Sequence, residues 1–404
     1  MKACGLIVEY NPFHNGHVYH LQSSKKKTNA DVLVAVMSGD FLQRGEPAII
    51  DKWHRAEAAL QSGVDVVLEL PYVYAVQHAD LFAKGAVLTL NSLNVDCVCF
   101  GSEKGKVKPF IDAYHHLKGK ESTFNEELHL HLKAGLSFPE ASKKAYEAVQ
   151  LTTDGLDLSK PNNILGFSYV KAIYEAGSMM KPETIQRTKS GYHDPEIKDT
   201  IASATSIRNE INTNIRLSDK VINAIPKVTS DALNNYKNKS GLFHQWEHYF
   251  SFVQHTVLTK RIDELQQIQG VEEGLEFRLK KTAKKAKSFY HWMELLKTKR
   301  YTWTRLQRMF VHILTNTTKH ELQAIHTLQT LPYVRLLGFS SRGREYINRQ
   351  KKQLETPLIS QIQSLQHPFL DIEERASDTY YLAIPHHKRS EIAKQEIGPP
   401  ILVN

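Results

Sequence analysis

Short runs of β-branched and apolar residues alternate with helix-period stretches through the first hundred residues, and this alternation restricts the fold more than any other feature. Lys2 to Glu9, Asp31 to Met37, Val64 to Leu70 and Val95 to Phe100 read as strands. Asp51 to Gln61 and His78 to Leu93 read as helices between them. Strands that are apolar along their length and separated by helices build right-handed βαβ units, with a parallel sheet buried on both faces. Ligands of such sheets sit beyond the carboxyl ends of the strands, so the strand-end loops are the places to search.

Downstream the pattern changes. Lys104 to Ala176 is mainly helical, and Pro161 suits the first turn of the helix that starts Pro161-Asn-Asn-Ile. A further strand is expected over Glu183 to Arg187, leading into the loop Thr188 to Asp194. Past Ile225-Pro226 strand signals fade, and the sequence to about Gln366 reads as helix rich in Lys, Arg, Leu and Gln. The expected fold class is α/β: a Rossmann-like domain with a parallel sheet over residues 1–230, followed by an all-helical domain over residues 231–404. Within the second part, Leu336 to Arg344 is expected to be a loop, because Gly338 and Gly343 interrupt it.

Composition narrows the class. A 41% hydrophobic share of 404 residues supplies a core for each domain. No apolar run reaches the length of about 18 residues that a membrane helix needs, and the N-terminus enters a strand directly, so a cytoplasmic protein is expected. Cys4, Cys97 and Cys99 form no CxxC pair and support neither a disulfide framework nor a zinc site. The net charge of +9 calls for an anionic partner, either nucleic acid or an anionic membrane surface.

Between the first strand and the first helix stands Glu9-Tyr-Asn-Pro-Phe-His-Asn-Gly-His17, in which His14-Asn15-Gly16-His17 fits the H-x-G-H signature of the nucleotidyltransferase superfamily. Glycine permits close backbone approach to a phosphate, a helix N-terminus favours an anion, and two imidazoles can donate to phosphoryl oxygens as charge grows during displacement. Other readings stand beside this one. His14, His17 and His20 fall at metal-like spacing, although no carboxylate or cysteine completes a set. They could also be plain caps or core histidines.

Ser203-Ala-Thr-Ser-Ile-Arg208 resembles the I-S-S-T-x-x-R element with which the same superfamily closes over the β- and γ-phosphates. Hydroxyls of Ser203 and Thr205 and the helix amides could receive phosphate, and Arg208 could bind departing pyrophosphate through two bonds. An ordinary Ser/Thr helix cap is the alternative. Phe100-Gly101-Ser102-Glu103 ends the fourth strand, where Gly101 could admit an adenine or ribose, or could simply make a turn. Ser38 to Pro47 follows the second strand and puts Asp40, Gln43 and Arg44 on the same rim, in a role that physics leaves unassigned.

In the second half, Phe277 to Lys287 and Lys297 to Arg308 concentrate cations around Tyr301 and Trp303. Cations contact backbone phosphates and aromatic faces stack on unpaired bases, so Lys280, Lys281, Lys284, Lys285, Lys299, Arg300, Tyr301, Trp303 and Arg305 are candidate RNA-binding residues. A solvated helix face with buried aromatics is the competing reading.

Together these segments carry a family resemblance. Gly5 to His17, Ser38 to Pro47, Ser203 to Arg208 and Lys297 to Arg305 resemble the bacterial tRNA(Met) cytidine acetate ligase family, and the likeness runs over essentially the whole chain. The resemblance implies a reaction in two steps. Acetate attacks the α-phosphate of ATP to give acetyl-adenylate and pyrophosphate, and the wobble cytidine of elongator tRNA(Met) then takes the acetyl group, giving N4-acetylcytidine and AMP. It implies an ATP site formed by Ile7, Val8, Glu9, Tyr10, Asn11, Pro12, Phe13, His14, Asn15, Gly16, His17, Val18, Tyr19 and His20 with Gly101, Asn162, Arg187 and Thr188. His14 and His17 would stabilise the pentacovalent phosphorus, Mg²⁺ would accompany the triphosphate, and the C-terminal helical half would hold the anticodon arm.

Two other classes share part of this pattern. An adenylyltransferase acting on a small phosphorylated cofactor precursor would use the nucleotide motifs but has no use for a basic, aromatic helical half. A non-catalytic RNA-binding protein would not need both phosphate motifs.

Overall fold

The computed structural model describes residues 1–151, 156–158, 160–187, 197, 201–214 and 216–404. Five parallel strands lie close to where the apolar runs place them: β1 (Ala3–Val8), β2 (Val32–Ser38), β3 (Val66–Leu70), β4 (Cys97–Ser102) and β5 (Lys181–Gln186), in the order β5-β4-β1-β2-β3. The expected Rossmann-like sheet is therefore present. β2 and β3 are buried along their full length, and alternate residues feed two cores: Val34, Val36 and Leu68 face one layer of helices, while Leu33, Ala35, Met37 and Val67 face the other. The free thiols of Cys4, Cys97 and Cys99 are buried in this sheet, with Cys4 opposite Cys97.

The sheet does not stop at β3. β6 (Val334–Ser340) pairs antiparallel with β3, setting Leu336 opposite Leu68, and β7 (Leu358–Ile359) and β8 (Ile401–Val403) then pair with β6. In place of the all-helical second part that the sequence suggests, this part of the chain is mainly helical but also returns these strands to the N-terminal sheet. The boundary expected at 230/231 falls inside the helix Lys227–Ser240. Leu336 to Arg344, expected as a loop, is the end of β6 followed by the helix Ser341–Gln350. Its glycines mark close approaches: a Cβ on Gly338 would stand 2.8 Å from the Ile401 carbonyl oxygen, and one on Gly343 3.0 Å from Val66 Cγ2.

A buried ionic cluster joins the early and late parts of the chain. Lys52 Nζ lies 2.9 Å from both Glu69 and Glu396 and 3.5 Å from Asp40, and Arg335 bridges Glu69 at 2.9 Å and Glu396 at 3.1 Å. Burial opposes the charge on Lys52, but Glu396, Glu69 and Asp40 outweigh it and hold its pKa above the usual value. Asp40 thus belongs to this cluster and not to the rim with Gln43 and Arg44; it accepts from Ser377 Oγ at 2.9 Å. Removing one member of such a set strands the others without a counter-charge, at a cost of about 3–5 kcal/mol.

Candidate functional site

At the carboxyl ends of β1 and β4 the chain encloses a cavity of about 260 Å³. β1 runs into Glu9 and Tyr10, and Tyr10 holds a left-handed φ of 50°. A non-glycine residue in that region stores backbone strain of order 1–3 kcal/mol, the kind of strain that collects at functional sites. The helix Asn15–Thr28 then starts with its N-terminus at the cavity.

The geometry of His14 and His17 follows from this helix start. His14 is the N-cap: its Nδ1 accepts from Gly16 N at 3.0 Å, and His17 Nδ1 accepts from His14 N at 3.2 Å. Each ring therefore carries its proton on Nε2, leaving that N–H as its donor. Burial, reinforced by Arg187 and Arg208, brings His14 down to about 3. Burial and the neighbouring imidazoles push His17 down as well, and His20 falls to about 4. Both signature rings are neutral donors near pH 7, stacked 3.8 Å apart. Gly16 is needed because a Cβ there would stand 2.8 Å from His14 Cε1.

Across the cavity the helix Ala204–Asn214 begins after Ser203, whose Oγ accepts from Ser206 N at 3.1 Å. The cap reading of Ser203 holds, and the same turn faces the histidines: Ser203, Thr205 and Arg208 line the cavity with His14 and His17. Gly101, Asn162 and Arg187 form another part of the wall, with Arg187 Nη1 donating to Asn162 Oδ1 at 3.1 Å. Ile7, Val8, Glu9, Tyr10, Asn11, Gly16, Tyr19 and His20 complete what the sequence places there. Pro12, Phe13, Asn15 and Val18 do not line it: Phe13 packs edge-on beneath Tyr10, and Asn15 donates to the Asn223 carbonyl at 2.9 Å. Thr188 lies outside the described residues.

Three buried polar atoms of residues in this wall, Tyr10 OH, Asn11 Nδ2 and His20 Nε2, find no hydrogen-bond partner among the described residues. Glu9 is pushed up by burial, partly offset by the Gln43 N–H and by Arg44. Among the described residues no group of three or more His, Cys, Asp or Glu side chains is placed to hold a metal ion.

Sequence reasoning left some of the wall unassigned or missed it. Gln43 and Arg44 are lining residues, as is Glu46, which pairs with Arg208 at 2.9 Å. Phe82, Leu165, Tyr169 and Ile185 line it too, but in sequence they are indistinguishable from core positions of their helices and strand.

The basic segments lie elsewhere. Lys280 and Lys281 sit on the helix Leu275–Ala283 and Lys284 and Lys285 just past it; Lys281, Lys284, Lys285 and Lys299 are exposed. Lys280 is half-buried and donates to the Leu258 carbonyl at 2.9 Å. Tyr301 is 6% exposed and covered by Arg305 at 4.8 Å, so its ring is already stacked internally. Arg300 pairs with Glu273, Arg305 with Glu272, and Trp303 leans on Tyr290, an exposed ring of this surface. No helix of the described residues is long and apolar enough to cross a membrane.

The sequence model of the HIGH nucleotidyl transferase family matches residues 1–396. A tRNA(Met) cytidine acetate ligase of Oceanobacillus iheyensis is 51% identical over 403 residues, covering all of both chains. The chain belongs to the tRNA(Met) cytidine acetate ligase family. A Bacillus subtilis member is 48% identical over 98% of this chain and 96% of its own. The crystal structure of Thermotoga maritima TmcAL without ligand superposes with a TM-score of 0.90 at 33% identity, covering all of both chains. The form of that family member bound with alpha-thio ATP superposes at 0.89 with 32% identity. The HIGH signature of the family is here His14-Asn-Gly-His17, and the nucleotidyltransferase fold extends through the late strands as well as the early ones.

Proposed function

We propose that this chain is an ATP-dependent ligase that activates acetate and delivers the acetyl group to the exocyclic amine of the wobble cytidine in elongator tRNA(Met), working in the cytoplasm. The observation that carries the reading is that a single cavity gathers the His14 and His17 donors, the helix start at Ser203 and the Arg208 guanidinium. These are the parts that an attack on an α-phosphate requires.

In the first step an acetate oxygen bonds to the α-phosphorus of ATP as the bond to the pyrophosphate oxygen breaks. The Nε2–H groups of His14 and His17 donate to the phosphoryl oxygens as negative charge builds. Being neutral, they need not lose a proton to be useful, and no covalent link to the protein is formed. Ser203, Thr205 and the first amides of Ala204–Asn214 hold the β- and γ-phosphates, and Arg208 neutralises the departing pyrophosphate. Gly101, Asn162 and Arg187 hold the adenosine side. Mg²⁺ would accompany the triphosphate and offset its charge as pyrophosphate departs.

In the second step the cytidine N4 attacks the acetyl carbon, AMP leaves, and the amine gives up a proton. The basic surface of Lys280, Lys281, Lys284, Lys285, Lys299, Arg300, Trp303 and Arg305 holds the anticodon arm through its phosphates, with Tyr301 as internal support. The test is pyrophosphate release from ATP with acetate, with and without tRNA, together with assay of acetylated RNA. Release with acetate followed by N4-acetylcytidine supports the reading; AMP transfer to a small phosphorylated acceptor, or no turnover, would replace it.

A further inference from the structure

Two exposed aromatic side chains outside the nucleotide wall face each other, one of them four residues before a lining position. Phe138 opens the helix Phe138–Ala148 and is 51% exposed. Its ring lies 6.5 Å from that of His78, at 38° between planes. His78 is open to solvent on one side yet ringed by protein on the others. Burial brings it down to about 4 against the pull of Asp80, with Arg308 adding to the effect, so the imidazole is uncharged near pH 7.

The pair is tied to the cavity by short covalent and hydrogen-bonded routes. His78 caps the helix Ala79–Asn91, and its carbonyl accepts from Phe82 N at 3.0 Å. Phe82, one helical turn on, lines the cavity. Gln43, another lining residue, donates through Nε2 to the Gln77 carbonyl at 3.0 Å, one residue before His78. Arg308, on the helix Trp303–Leu314, donates to the Gln43 carbonyl at 3.2 Å. On the far side, Glu140 is held down by its hydrogen bonds to Ser137, with Lys297 and Lys299 adding to the effect, so the basic segment approaches the Phe138 turn. The nearby Asp80 carboxylate is neutralised by Lys171 at 3.0 Å. The pair therefore combines two ring faces with cations nearby, and it is joined to the cavity wall through Gln77 and Phe82.

Resting on the acetate-ligase reading above, we infer that His78 and Phe138 form an aromatic clamp that takes the unstacked acceptor base of an RNA loop and guides its amine toward the cavity. The occupant is a single-stranded RNA nucleotide and not an apolar peptide, because the rim is cationic and one of the two rings is a polar heterocycle. Bases stack on aromatic faces with little regard to sequence, which suits a site that must hold a base while the chemistry reads its amine. The fluorescent probe is an anticodon stem-loop with pyrrolocytosine at the wobble position, whose emission is quenched on stacking.

The wild-type protein should quench this probe, and Phe138→Ala should abolish the quench while slowing acetyl transfer to RNA about ten- to hundredfold. Phe138→Trp should restore both, and Phe138→Leu, apolar but unable to stack, should restore neither. His78→Ala should act in the same direction. Quenching and transfer unchanged in Phe138→Ala and in His78→Ala would overturn the clamp, as would a loss seen equally in acetyl-adenylate formation, which would place these rings with the nucleotide. A wild-type protein that forms no acetylated RNA would instead overturn the functional reading on which the clamp rests.

Discussion

The Arg208 guanidinium donates to the Glu46 carboxylate at 2.9 Å and to the Asn11 carbonyl at 2.8 Å, so this cation of the cavity wall is gripped from two sides. Glu46 comes from the loop after β2 and Asn11 from the loop after β1. One side chain thus pins both loops while facing the cavity.

Arg208→Lys keeps the charge but not the geometry. An ammonium group cannot hold a carboxylate, a carbonyl and a phosphate in one plane as a guanidinium can. Pyrophosphate release should fall by about 10²-fold or more. Wild-type rates in the lysine variant would show that Arg208 acts only as a point charge.

His17→Ala removes an Nε2–H donor from the cavity wall, proposed above to act on charge that develops during displacement. Single-turnover pyrophosphate release should slow by about 10²–10³-fold, while ATP affinity changes much less. A fall in affinity equal to the fall in rate would assign His17 to ground-state binding.

Gly45 has a φ of 75°, and a Cβ there would stand 2.7 Å from Arg308 Cα on the helix Trp303–Leu314. Gly45→Ala therefore meets backbone strain and a backbone clash together. It should lower stability by about 1–3 kcal/mol, read as a drop in the midpoint of urea unfolding. An unchanged midpoint would mean that the loop carrying Gln43 and Arg44 is free to move away from the helix.

Acid should unfold the protein earlier than its carboxylates alone would dictate. His14 and His312 lie at about 3 and His20 at about 4, each lowered chiefly by burial, against about 6.5 in an unfolded chain. Between those limits the unfolded chain binds protons that the native state refuses. Their contribution is thus fully present above about pH 6.5 and is lost as the pH falls toward 4 and then 3. His312→Gln should flatten the fall of stability over that window; an unaltered slope would refute the assignment.

Replacing Lys280, Lys281, Lys284 and Lys285 together by Gln should weaken tRNA binding and reduce the slope of log affinity against log salt. The ceiling is about 0.9 for each phosphate that the variant no longer neutralises. Lys280, with its bond to the Leu258 carbonyl, should contribute least. Binding and slope identical to wild type would make the cluster a solvated face.

Much of the site was legible because its chemistry is local in sequence. Glu9 to His17 and Ser203 to Arg208 need only their strand-to-helix or helix-start setting to be recognised, and the structure sets them across one cavity. What could not be read depends on partners distant in the chain. Asp40 looks like a rim residue until Lys52 and Ser377 close around it. Gly338 looks like a loop residue until Ile401 is seen beside it. β6 itself is a short apolar run within a helical background, and only the open edge of β3 selects the strand. Tyr301 reads as a stacking platform, yet its ring is taken by Arg305.

The pairing of β3 with β6 also bears on how this protein is born. A ribosome delivers β3 more than two hundred and fifty residues before β6, since Val66 lies opposite Phe339. Throughout that interval the nascent chain carries an apolar strand with its outer row of amide and carbonyl groups uncovered, the kind of edge that recruits a neighbouring chain. Glu69 waits 266 residues for Arg335, and Lys52 waits longer still for Glu396. The early half is therefore not a module that matures first and later acquires an RNA-holding appendage. Its last strand and its buried charges are completed only near the end of synthesis, and until then its safekeeping falls to whatever cellular factors hold unfinished chains.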